Sequence, residues 1–517
     1  MLRCHRLGLC LPVLLGLSVW SYAETASAAL TCFVAVDPDP VSAGANLAAC
    51  VTYFNAGFFD HIDLPTYVEQ DYVLSQPLVF TRSGSLHGEN QRLLPSPEFA
   101  GDDLVIVGPV CPEGGCGSLT KMTLSSLQLE DKSATGVRGI RVRGEGLAVL
   151  DDVQVSGFDI LGDGAAVYVE PDGQALLRES RMIDNHADVG GAIYVDAGAL
   201  SLHNSKFLLN GAAHGGAIGL GSGGSLDIRD SNFYDNVAAG SGGVIYELPG
   251  ATGTSVSIVS STFYDNEAGN DGGAWFGGGV VEDSSFSHNV AGGWGGAAYL
   301  GPYSHVLDSR FVGNEANRGG GVAVVIGGPH DMLIEGSTFE GNVADGSFAS
   351  GGGLYVNRSV ANPGATWVTN CTFSGNASTG AAATFGGGFG LGMVRATLAH
   401  VTFFGNAATH GGAIHTTSSA TTDLRLESSI MAGSPAGACV ITSSVTEDTS
   451  LDDDGTCGVT YPSTDPQLGP LADNGGPTKT HLPAAAAVLG AATCRAAVDQ
   501  RGVARPLSGC DIGSVQQ

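Results

Sequence analysis

Ser205-Lys206-Phe207-Leu208-Leu209-Asn210-Gly211-Ala212, followed by Gly215-Gly216-Ala217-Ile218, is one copy of a unit that recurs along the middle of the chain. Its Phe slot is filled in turn by Met182, Phe207, Phe233, Phe263, Phe286, Phe311, Phe339, Phe373, Phe403 and Met431, at gaps of 23 to 34 residues. Three residues later stands Asn185, Asn210, Asn236, Asn266, Asn289, Asn314, Asn342, Asn376 and Asn406, and only Ser434 breaks the series. Five residues before the slot every copy is aliphatic, from Leu177 and Leu202 to Leu398 and Leu426. Two residues before it is Ser, except at Cys371 and Val401.

Within each unit the apolar residues alternate, as in Leu226-x-Ile228, between Gly and Asn corners, which is the period of short strands and not of helices. Such segments cannot bury a core alone. Coiling the chain so that equivalent strands stack at about 4.8 Å turns the Phe and aliphatic slots into interior columns. It also places each Asn where its amide can bond the copies above and below. Variable gaps become loops at the corners. The predicted fold is all-β, a right-handed parallel β-helix. Less regular alternation (Tyr72-x-Leu74, Leu104-x-Ile106, Leu127-x-Leu129) sets its start near residue 68. The expected organisation is a signal peptide at 1–28, an N-terminal cap at 29–67 over the open strand edges, the helix at 68–435, and a small C-terminal region at 436–517.

Composition agrees. The chain has 517 residues, 79 of them Gly, with 43% hydrophobic and only 14% charged residues, which excludes a disordered polymer. The formal charge of −29 repels phosphate backbones, so nucleic acid is excluded as a partner. Arg3 and Arg6, the apolar run Leu7 to Val19 and Ala26-Ser27-Ala28 read as a secretory signal, with Ser21-Tyr22-Ala23 as an earlier cut. No later stretch is long and apolar enough to span a bilayer as a helix. In an exported chain the close cysteine pairs are expected as disulfides: Cys32 with Cys50, Cys111 with Cys116, Cys439 with Cys457, and Cys494 with Cys510. Cys371 is left as a buried free thiol in the Ser slot.

The Phe-x-x-Asn and Gly-Gly-Ala-Ile units resemble the repeats of the chlamydial polymorphic outer membrane proteins over about 176–434. The resemblance implies a surface adhesin with an outer-membrane association. No series of amphipathic strands for a barrel follows Met431, so autotransport is not expected. The C-terminal region is similar to the choice-of-anchor Q domain of bacterial surface and secreted β-helix proteins. The matching blocks are Asp465 to Thr478 with Thr480-His481, Asp499-Gln500-Arg501-Gly502 with Arg505-Pro506, and Cys510-Asp511-Ile512-Gly513. The expected Ser-Pro-Ala-Ile-Asp segment is replaced by Ala484–Leu489, and no anchoring signal is expected after it.

The chemistry legible in the sequence is sparse. Tyr234-Asp235-Asn236 and Tyr264-Asp265-Asn266 hold one slot in successive coils, so Asp235 and Asp265 are the candidate catalytic pair, or a calcium site. The plainer reading is two solvated turn aspartates. Calcium is the one cofactor this pattern admits. His214 and His410 lie seven coils apart and cannot share an ion. Basic residues are scattered, with no cluster to receive an acidic sugar chain, and no nucleophile elbow or Cys/His pairing stands out. The leading expectation is a secreted or cell-surface binding, adhesin-like or structural element. Its partner would be a polysaccharide or surface protein, met on a flank decorated by the loops near 345–350 and 377–388. The alternative is a polysaccharide lyase or glycoside hydrolase.

Overall fold

A computed structural model describes residues 19–22, 30–65, 70–109, 119–132, 136–327, 331–358, 364–417 and 422–517. Most of the predicted signal lies outside these residues. So do Cys111 and Cys116, and the bridge expected between them is not among the disulfides described. Val19–Tyr22 is a strand antiparallel to Thr31–Val34. The described chain falls into two compact units, one reaching to Asn232 and including Glu247–Ser255, the other formed by Phe233–Tyr246 and Val256–Gln517. Both are built of parallel β-helix coils, and the fold is consistent with right-handed winding.

In the first unit the parallel pairing begins earlier than residue 68. Thr31–Val34 pairs with His61–Asp63, which pairs with Gly84–Pro95. Between them lies a helix that the strand periodicity did not announce, Pro40–Asn55. Its start was nonetheless encoded: Asp39 is the N-cap, its carboxylate accepting the Val41 N–H at 3.3 Å, and Pro40 sits at the first helical position. Ala43, Leu47, Cys50, Val51 and Phe54 form its buried face, and the Cys32–Cys50 disulfide ties it to the first strand. Gly44 rests on the Val73 carbonyl, where a Cβ would come within 2.1 Å, so the helix lies directly over strand Asp71–Leu74. Further along, Leu177 registers with Leu202, Met182 with Phe207 and Ile193 with Ile218.

The second unit carries the longest columns. Phe233, Phe263, Phe286, Phe311, Phe339, Phe373 and Phe403 stack face to face inside the coil, with centroids 4.5–5.2 Å apart and planes within 15°. Each is essentially fully buried, contributing roughly 1.5–3 kcal/mol of hydrophobic stabilisation. Beside them Asn236 Nδ2 donates to Asn266 Oδ1 at 3.0 Å, and the pattern repeats through Asn289, Asn314, Asn342, Asn376 and Asn406 at 2.8–3.0 Å. In the first unit Asn185 bonds Asn210 in the same way at 3.0 Å. Each internal amide also donates to a Phe carbonyl of the preceding coil, as Asn289 does to Phe263 at 3.0 Å. These buried side chains therefore have their polar atoms paired, as burial requires.

Serines in the slot before Phe run a second ladder: Ser261 N–H to Ser284 Oγ and Ser284 N–H to Ser309 Oγ, at 3.1 and 3.2 Å. Cys371 takes this slot as a buried free thiol, its Sγ 3.2 Å from the Thr369 carbonyl, and burial pushes its pKa up. Parallel pairing also runs past residue 435, since Cys439–Ile441, Ser444–Asp448 and Leu451–Asp452 add one more coil. The Cys439–Cys457 and Cys494–Cys510 disulfides are formed, as expected from their spacing.

Candidate functional site

Asp235 and Asp265 lie where the repeat puts them, on neighbouring rungs, and both are exposed. Asp235 N–H donates to the Tyr264 carbonyl at 3.3 Å. Their backbones explain the residue choice. The position before each ladder Asn is a left-handed corner: φ is 53° at Asp235 and Asp265, 55° at His288, and 61–66° at Gly313, Gly341, Gly375 and Gly405, with Gly433 before Ser434 at 68°. Asp tolerates this conformation better than most residues with a Cβ, and glycine tolerates it best. The outward neighbours Tyr234 and Tyr264 are 6.4 Å apart edge to face, and Tyr264 meets His288 at 5.4 Å, so the corner is an open aromatic and acidic strip.

A second, more enclosed arrangement was not read from the sequence. On the sheet that begins after each Gly-Gly corner, one outward position per coil forms a column: Tyr246, Phe276, Tyr299, Ala323, Tyr355, Gly390 and His415. Tyr246 and Phe276 stack at 5.3 Å, Phe276 and Tyr299 at 4.9 Å. Ala323 leaves its rung open, and Trp294 leans in from the corner, 6.3 Å from Tyr299 and 5.7 Å from Tyr355. Arg318, paired in register with Trp294, lies 5.5 Å from the indole centroid and 5.7 Å from the Tyr355 ring. Its Nε–H donates to the Phe348 carbonyl at 3.1 Å. Phe348 itself is 63% exposed, at the tip of the 345–350 loop. Phe385, from the 377–388 loop, packs on His415 with centroids 4.6 Å apart and planes tilted by 46°. Both loops therefore border one face.

Acidic groups punctuate this column. Asp271 accepts the Trp294 N–H at 2.8 Å, and burial holds its carboxyl above the usual range. Burial, with the nearby Asp271 charge, raises the Tyr299 phenol. In the first unit the equivalent face carries Arg141, Tyr168 and Tyr194. Asp103 there joins Arg138 at 2.7 Å and Arg141 at 2.6 Å, and both guanidiniums lie over Tyr168. The signal that could have found the column is the residue after Gly-Gly-Ala-Ile and its variants. The interior slots drew attention first because their spacing is stricter.

The C-terminal region docks along another flank of the second unit. Outward threonines Thr338, Thr372 and Thr402 are covered by Thr478, Gln500 and Ser514. Gln500 Nε2 donates to Thr338 at 3.0 Å and to Thr478 at 2.9 Å, while Thr372 Oγ1 donates to Gln500 Oε1 at 2.6 Å. Ser514 Oγ lies 3.1 Å from Thr402 Oγ1. His481 reaches Ser374 at 2.9 Å, and Arg505 reaches Asn370 at 3.2 Å. The C-terminal blocks singled out in the sequence thus include residues that hold this region onto the coils. A cavity of about 260 Å³ beside them is lined by Asp308, Glu335, Asn370, Gln500 and Arg501, with Arg501 engaged by Asp499 at 2.8 Å. Among the described residues no group of three His, Cys, Asp or Glu is placed to hold a metal, and no helix is long and apolar enough to cross a membrane.

The fold and its repeats define a parallel β-helix protein. The Chlamydia polymorphic membrane protein repeat matches residues 400–417, which contain Phe403, Asn406 and Gly411-Gly412. No curated protein matches the chain. Among solved structures it is similar to the A-module of the Azotobacter vinelandii mannuronan C-5 epimerase AlgE6, at 12% identity and a TM-score of 0.34, over 81% of this chain and 97% of that one. It is also similar to the tailspike protein of E. coli bacteriophage HK620, at 12% identity, TM-score 0.35, over 80% of this chain and 76% of the tailspike. Tailspike protein 3 of bacteriophage CBA120 gives 11% identity and a TM-score of 0.35, over 87% and 66% of the two chains.

Proposed function

We propose that this protein is exported and acts at the cell surface or in the extracellular space as a β-helix binding protein whose partner is a polysaccharide. The C-terminal region is of the choice-of-anchor Q type in this reading. The observation that carries it is the outward aromatic column of the second unit, interrupted at Ala323 and completed by Trp294. The partly exposed rings of Phe276, Trp294 and Tyr299, with phenol and carboxylate groups beside them, suit a sugar chain, which offers both apolar C–H faces and hydroxyls. Repetition by one rung lets such a chain lie along the coil axis and make the same contact several times over.

The test is retention of the signal-free protein on a panel of immobilised polysaccharides, with and without calcium, scoring chain cleavage in parallel. Retention without cleavage is expected. Trp294→Ala should weaken it about tenfold, the loss of one anchoring aromatic. Asp235→Ala should leave it unchanged. Cleavage abolished by Asp235→Ala would instead establish the hydrolase or lyase reading and defeat this one.

A further inference from the structure

Arg318 is held in an unusual way for a chain with 51 acidic and 22 basic side chains. Among the described residues no carboxylate lies within ion-pair distance of it. It packs instead against Trp294 and Tyr355, 5.5 and 5.7 Å from their ring centroids, hydrogen-bonds the Tyr355 phenol, and gives its Nε–H to the Phe348 carbonyl. Of the acids of the same corner, Asp271 accepts the Trp294 N–H, while burial and the like charge of Asp345 hold the Glu315 carboxyl above its usual range. The side chain is partly exposed. With its Nε–H on the Phe348 carbonyl and one further hydrogen bond to the Tyr355 phenol, the guanidinium still has Nη N–H groups to offer a planar, two-pronged acceptor. Its position is preorganised, so little rotamer freedom remains to be lost on binding.

We propose that Arg318 is a carboxylate-recognition point and that the saccharide bound on this face is acidic, its sugar carboxylate meeting the Nη edge while the ring lies against Trp294 and Phe348. This rests on the polysaccharide reading above. The net charge of −29 opposes a polyanion at long range but is screened beyond about 8 Å at physiological salt, whereas the Arg318 contact is direct. One direct, charge-assisted pair is therefore set against a diffuse repulsion.

The experiment titrates the signal-free protein with an oligouronate, with its carboxyl-reduced neutral counterpart of the same linkage, and with a poly-glutamate peptide. Wild type is expected to bind the oligouronate at least about tenfold more tightly than the neutral oligomer. Arg318→Gln should abolish that preference, weakening oligouronate binding about tenfold more than neutral binding. Arg318→Lys, which keeps the charge but not the fork, should restore only part of it. Equal binding of acidic and neutral oligomers, or equal weakening of both by Arg318→Gln with an unchanged circular dichroism spectrum, overturns the proposal and leaves the polysaccharide reading standing. Peptide binding as tight as the oligouronate assigns the point to carboxylates at large and overturns the saccharide part. Binding of no oligomer sinks both readings together.

Discussion

Each coil turns through left-handed corners, and the residues found there separate conformational need from chemistry. The corner before the ladder Asn carries Asp, His or Gly in the second unit and Asp184 and Leu209 in the first, all with φ of 53–66°. Gly341 isolates the backbone effect, because a Cβ built there meets nothing within 4 Å. Gly341→Ala should destabilise the protein by about 1–2 kcal/mol through φ alone, with Gly341→Asn costing less. Chemical denaturation of the two variants measures it, and equal stability of the alanine variant would show that the corner is not strained. The acidic pair Asp235/Asp265 was thus legible as a pair on adjacent rungs, and its backbone gives a conformational reason for both residues. What the sequence could not convey is that the Arg318 guanidinium on the aromatic face belongs beside Trp294, because the two meet only through register.

At the scale of elements, strand positions were readable because inward slots obey a strict two-residue alternation and the Phe-x-x-Asn spacing never varies. The helix at Pro40–Asn55 was not, since its apolar residues are mixed with exposed Val41 and Tyr53 and its period is weak; only the Asp39-Pro40 start announced it. The docking of the C-terminal region was also hidden, since its partners lie 65 to 163 residues away, as with Ser428 and Thr493, His400 and Arg495, or Ser337 and Gln500. One of those contacts is sensitive to acid. His400 is buried, and its Nε2 accepts the Arg495 N–H at 3.1 Å. Burial, reinforced by the Arg505 charge, lowers its pKa to about 3 from 6.5. The folded state therefore refuses a proton that the unfolded state accepts. This stabilisation is complete above about pH 6.5 and is lost as pH falls toward the folded value, amounting to about 2 kcal/mol by pH 5. Limited proteolysis of the 466–517 segment should accelerate between about pH 7 and 5, and His400→Asn should flatten that dependence. A pH-independent rate in wild type would show that His400 does not control the docking.

Across the whole molecule, contacts within each unit are dominated by neighbours one coil apart, so a coil can be removed without rewriting its neighbours. Deleting residues 289–313 joins His288 to Asn314 and restores every ladder, because Asn289 and Asn314 are equivalent and 25 residues apart. The shortened chain should fold with the same strand signature in circular dichroism and a lower melting temperature. It should lose glycan retention, having lost Trp294 and Tyr299. Failure to fold would mean that coils are not interchangeable and that variation in their lengths has a structural cost.

The asparagine ladder also has a direction. In every pair the earlier coil supplies the donors, its Asn N–H and Nδ2–H, and the later coil supplies the Oδ1 that accepts both, as Asn266 does with Asn289. A chain emerging from its N-terminus therefore ends, at every stage, in an unfilled row of donors that only the next coil can answer. Assembly is polar, like a thread that tightens one way, and the growing end advertises its own continuation.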